Sequence, residues 1–169
     1  MWHNMKKKKK KNGFAILEVV VGLAILALSF FAMMSTAVSF TKVAFETTRS
    51  LQVAFLLEEG AEVVKSIRDN GWTSYIVSLT PGTWYGFKLI TTPTTHWATS
   101  TTPEIIDGGQ FYRRFKLDSV YRDITSDISP TGILDLGTRK ATIEVSWKQG
   151  SKATSTRYVS SYITNYFND

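Results

Sequence analysis

Glu18 is the one charged residue in the run Phe14 to Val38, which reads FAILEVVVGLAILALSFFAMMSTAV. A lone carboxylate in that setting has narrow chemistry. At the centre of a hydrocarbon layer an unpaired charge costs about 3 kcal/mol, so the group must stay at a wet boundary or meet a cation. The other groups that could do chemistry are sparse. Glu58, Glu59 and Glu62 could pair as carboxylates, but on an amphipathic helix they read as a solvated or subunit-contacting face. His3 and His96 are the only histidines, too few ligands for a metal site, and His96 reads as an exposed loop residue. Arg113 and Arg114 lie among Phe111, Tyr112 and Phe115, and basic residues beside aromatics suit single-stranded nucleic acid or acidic sugars. Alternation along a strand lets at most half of that cluster share a face, which favours a structural sheet. HExxH, GxSxG and phosphate-binding glycine loops do not occur in the sequence, so no enzyme, cofactor or metal is expected.

The charge distribution points the same way. The formal net charge of +6 comes from Lys6, Lys7, Lys8, Lys9, Lys10 and Lys11; without them, 14 basic residues balance 14 acidic ones. Basicity confined to a short block beside an apolar run is a topology signal rather than a phosphate-binding surface. With no cysteine, the chain has neither a disulfide framework nor a thiol nucleophile.

These residues are positioned by a few long elements. Phe14 to Val38 exceeds the roughly 20 apolar residues needed to span a membrane, and lysines held in the cytoplasm put the C-terminal bulk across it. Beyond it nothing breaks a helix until Asn70-Gly71. Val43, Thr47, Ser50, Ala54, Leu57, Ala61 and Val64 form one stripe at three- and four-residue steps. Glu62, Lys65 and Asp69 are spaced to pair off that stripe. One helix from about residue 14 to residue 69, roughly 84 Å long, is predicted, weakened by about 1 kcal/mol at Gly60 but not ended there. Strands are predicted at Trp84 to Ile90, Phe111 to Arg122, around Ala141 to Trp147 and at about Thr154 to Thr164, the last two joined near Gln149-Gly150. The Thr-rich stretch Thr91 to Pro103 reads as an exposed loop. The fold class is α+β, with the C-terminal half of the helix packed on an antiparallel sheet.

The stretch Lys6 to Glu18 resembles the processing site of type IV prepilins and pseudopilins: a basic leader, Gly13, Phe14, and Glu18 four residues later at the head of an apolar helix. The resemblance implies a pilin-like fold and cleavage between Gly13 and Phe14 by a prepilin peptidase. It further implies N-methylation of Phe14, and Glu18 pairing with the N-terminal amine of a neighbouring subunit. The implied layout is a cleaved leader (1–13), a membrane and filament-core half-helix (14–41) and an exterior domain (42–169). Before assembly the chain would sit in the inner membrane with its N-terminus in the cytoplasm; afterwards it would belong to a pilus or secretion-type pseudopilus. The implied partners are the peptidase, sibling pilin subunits, a platform protein and an assembly ATPase.

Phe-Ala-Ile-Leu-Glu replaces the commoner Phe-Thr-Leu-Ile-Glu, no proline interrupts Phe14 to Thr41, and the C-terminal cysteine pair of many major pilins is missing. These departures favour a minor pilin or pseudopilin. Three alternatives stay open. One is a secretory signal cut near Ser35-Thr36-Ala37, and another is a static single-pass anchor whose Glu18 answers the helix dipole. The third is a DNA-uptake pilin with a nucleic-acid surface at Arg113 and Arg114.

Overall fold

The structure, a computed structural model, describes residues 12–148 and 154–167, with only the backbone of 12–14. Helix α1 runs from Asn12 to Asp69 without interruption. It stops where the sequence predicts, because Gly71 turns to φ 141°, a conformation most side chains disfavour. A wide-wound helical turn, Trp72–Val77, follows and inserts Trp72 and Ile76 into the core.

Contacts divide the chain into two units at Arg49 and Ser50. In the first, α1 has no partner element among the described residues, and it is exposed from Ala15 to Thr48 apart from half-buried Gly22. In the second, residues 50–69 of α1 pack on a seven-stranded antiparallel sheet. The strands are β1 (Trp84–Ile90), β2 (His96–Ser100), β3 (Glu104–Ile106), β4 (Phe111–Arg122), β5 (Ile128–Ser129), β6 (Ile133–Lys148) and β7 (Thr154–Thr164). Their order is β2-β1-β4-β6-β7, with β3 and β5 also pairing along β4. A bulge between Ser119 and Val120 shifts the β4–β6 register.

The buried seam of the helix is Val53, Gly60, Val63, Val64 and Ile67, with Leu56 and Leu57 half-buried. Burying each valine or isoleucine here contributes about 1.5–3 kcal/mol. This seam is rotated from the predicted stripe: Val64 is buried, Leu57 and Ala61 are half-buried, but Val43, Thr47, Ser50 and Ala54 are exposed. Apolar residues also lie off the predicted stripe, at Val53, Leu56, Val63 and Ile67, so several rotations satisfied the same periodicity. Opposite the seam, Phe87 stacks on Phe115 with ring centres 4.8 Å apart, and Leu117, Ala141, Ile143 and Ile163 complete the core.

Gly60 has a second role beyond weakening the helix. A Cβ there would lie 2.8 Å from Ile143 Cγ2 and 3.2 Å from Arg113 Cδ, so the missing side chain lets α1 approach the sheet.

The predicted loop Thr91 to Pro103 instead contains a strand, β2 (His96–Ser100), between irregular flanks. β2 pairs with β1 from Ile90↔His96 to Gly86↔Ser100, and Trp97 packs edge-on against Phe87 at 6.5 Å. Threonine is β-branched and favours extended backbone, so a Thr-rich stretch carrying one large aromatic residue is also good strand material. The predicted turn at Gln149-Gly150 lies outside the described residues.

Candidate functional site

From Ala15 to Thr41 the helix presents apolar side chains all round. Phe30 is 63% exposed, Phe31 71% and Met33 75%, among many others. Folded monomers in water seldom show contiguous apolar patches beyond a few hundred Å². The helix is long and apolar enough to cross a membrane. Its polar groups are largely turned inward. The hydroxyls of Ser29, Thr36, Ser39 and Thr41 each donate to the carbonyl four residues earlier, at 2.9–3.0 Å. Such back-bonding removes the penalty of putting an unpaired hydroxyl in hydrocarbon.

The formal charge is different. Glu18 is exposed and forms no ion pair among the described residues. It lies at least six residues inside α1, whereas the helix-dipole effect fades within the first turn. The dipole therefore leaves most of its charge unanswered. Gly13 and Phe14 are within the helical backbone, about one turn before Glu18; the Phe14 side chain lies outside the described residues, as do Lys6 to Lys11.

No family model, no curated protein and no solved structure matches the chain.

The second cluster of charges behaves in the opposite way. Arg113 is only 1% exposed and is saturated with partners: Glu59 at 3.0 Å, Glu104 at 2.8 Å and the Leu56 carbonyl at 2.9 Å. Its guanidinium also lies 5.1 Å from the centre of the Phe87 ring. A buried cation that ties α1 to β3 and β4 is a structural clamp and offers nothing to a ligand. Arg114 projects to the other face of the sheet, where Glu144 accepts from it twice, at 2.7 and 3.2 Å, and Trp84 lies beneath it. The two arginines therefore do not form a common surface for nucleic acid.

Glu62 pairs with Lys65 at 2.6 Å, and Glu58 is exposed. His96 is half-buried in β2 rather than in a loop, with Nδ1 3.0 Å from the Thr94 carbonyl. Among the described residues no three His, Cys, Asp or Glu side chains converge as a metal site.

Two carboxylates are shifted. Asp123 is held below the usual carboxylate range by hydrogen bonds from the Thr125 hydroxyl and N–H, helped by the Asp127 N–H. For Asp135, burial opposes the charge. Hydrogen bonds from Arg122, Thr138 and the Gly137 N–H, with the charge of Arg122, outweigh that effect and lower its pKa. Both belong to the β4–β6 end of the sheet and stabilise local turns.

Proposed function

We propose that the chain is a type IV pilin-like structural subunit, not an enzyme, most akin to a minor pilin or pseudopilin. It is inserted with its lysine leader in the cytoplasm, cut after Gly13, N-methylated at Phe14 and drawn into a helical filament. The observation that carries this reading is a helix whose first 30 or so described residues are exposed and predominantly apolar, with one acid, Glu18, near its start that pairs with no cation among the described residues. In the membrane, lipid covers that surface. In a filament, the same surface is covered by neighbouring helices.

Cleavage after Gly13 creates a cation at Phe14, one helical turn from Glu18. Pairing Glu18 with the amine of a neighbour neutralises two charges that would otherwise each be left in an apolar core, and it fixes axial register. Leaving lipid for a bundle requires work from outside. That assigns roles to a prepilin peptidase, a platform protein, an assembly ATPase and sibling subunits.

The test is co-expression with such an assembly machinery, followed by shearing and sedimentation. The native chain is expected in the sheared filament fraction, and Glu18→Ala is expected to stay in the membrane fraction although its leader is removed. Equal recovery of both forms in filaments would count against the role given to Glu18. Absence of the native chain from filaments would count against the reading as a whole.

A further inference from the structure

The solvent face of the sheet carries a different set of groups from the core face. Cross-strand partners project to the same side. Tyr162 stands opposite Lys140 and then Asp118; Ser160 opposite Thr142 and then Lys116; Tyr158 opposite Glu144 and then Arg114. β7 ends the sheet, so this face is open along one side. Tyr158 is 59% exposed and Tyr162 50% exposed, large values for aromatic rings on a sheet.

Most charges here are already satisfied. Glu144 takes Arg114, and Asp118 takes Lys116 at 3.0 Å. Both cations also lie over Trp84, at 4.5 and 5.7 Å from the ring centre, and occupy it. Lys140 is the exception: it forms no ion pair among the described residues. It lines, with Tyr162, Ser119, Ser129 and Val120, a cavity of about 390 Å³ at the register shift, within the size range of ligand pockets.

An open phenol ring, hydroxyl groups and one uncommitted ammonium together suit a flat, hydroxyl-rich molecule with an occasional negative charge. Single-stranded nucleic acid fits poorly, because it needs a continuous track of cations to match a charge at every nucleotide. Here Arg114 and Lys116 are already paired with Glu144 and Asp118, so no such track is present on this face. A sugar chain with carboxylates at intervals matches one free lysine between hydroxyls. Tyr158, four residues from Tyr162 and about 13 Å along β7, extends the platform in the strand direction.

We propose that the face formed by Tyr162, Lys140, Ser119 and Ser129, extended by Tyr158, binds an acidic glycan, with Lys140 on a uronate carboxylate and Tyr162 under a sugar ring. This inference does not depend on filament assembly, since the exterior unit contains the whole site.

The test is calorimetric titration of the full-length chain in detergent micelles with a hyaluronan tetrasaccharide, which carries a carboxylate on alternate sugars. Saturable binding is expected, weakened at least 10-fold by Lys140→Gln and by Tyr162→Ala, and changed less than 3-fold by Tyr162→Phe. Arg157→Gln removes an exposed charge from a position paired with core-facing Val145; it should leave binding unchanged. Because Lys140 and Tyr162 are exposed, unfolding temperatures measured alongside should match the native chain, and any variant that fails that check is replaced by Lys140→Met or Tyr162→Leu. Absence of binding at millimolar hyaluronan tetrasaccharide would overturn the proposal. So would equal weakening by Arg157→Gln, or tighter binding of an oligothymidylate of the same charge.

Discussion

Two stretches of α1 have the same backbone and opposite needs. Residues 50–69 bury a seam of valines, Ile67 and Gly60 against their own sheet, and the carboxylate of Glu59 meets Arg113 within the same unit. Residues 15–48 bury almost nothing, and the carboxylate of Glu18 meets no cation among the described residues. Helix geometry is therefore not what separates them. One stretch is completed by its own chain, whereas the other has apolar surface and a charge that none of the described residues completes. Arg113 and Glu18 mark the difference best: a buried charge with its partners present, and an exposed charge on an apolar surface with none among the described residues.

Removing the clamp has the largest expected effect. Arg113→Met should destabilise the sheet-bearing unit by about 3 kcal/mol, because Glu104 is left partly buried without its cation. Glu18→Ala should change the same quantity by less than about 0.5 kcal/mol, as substitutions away from packed features do. Denaturant unfolding followed by the tryptophan fluorescence of the sheet measures both. Similar losses from the two variants would erase the distinction between the stretches.

Gly60→Ala sharpens the comparison within the helix. An exposed glycine would gain about 1 kcal/mol of helix propensity from alanine. Here the new methyl meets Ile143 and Arg113, and overpacking costs roughly 1–3 kcal/mol, so a net loss of up to about 2 kcal/mol is expected. Gly22, around which a Cβ would find open space, should instead tolerate alanine with a gain in helicity. The same unfolding assay and far-UV circular dichroism separate the two cases.

The smallest effect is expected with acid. Asp135 has a folded pKa below the ordinary value of about 3.9, so its ionised form contributes stability that is complete above that value and is lost as pH falls through the folded pKa. Unfolding midpoints should thus be flat above pH 5 and fall below about pH 4, with a shallower fall in Asp135→Asn. An unchanged acid profile in that variant would remove the role given to Arg122 and its hydrogen-bonded turn.

Much of this was legible in the sequence, for identifiable reasons. The long helix ended at Asp69 as read, since Asn70-Gly71 is a strong local stop. β1, β4 and β7 matched the predicted spans because alternation and turn residues bracket them. What escaped depended on tertiary partners. The identity of the buried seam required knowing which of several apolar rotations the sheet would take. β2 was hidden because threonine suits both strand and loop. Arg113 reads locally as one of a surface pair, and only the long-range approach of Glu59 and Glu104 makes it a core residue. Tyr158 and Tyr162 fell inside the last predicted strand without being singled out, Lys140 lay just before the strand read from Ala141, and the cavity beside them arises from a bulge that no local pattern announces.

The central claim is that α1 begins its working life at Phe14, with a new amine set against Glu18. The most direct measurement is the mass of the N-terminal peptide from membranes in which the chain is co-expressed with a prepilin peptidase. The account requires a peptide starting at Phe14 and carrying one added methyl group. An intact lysine leader would make the chain a static anchor, and a start near Val38 would make its apolar run a secretory signal; either would contradict it.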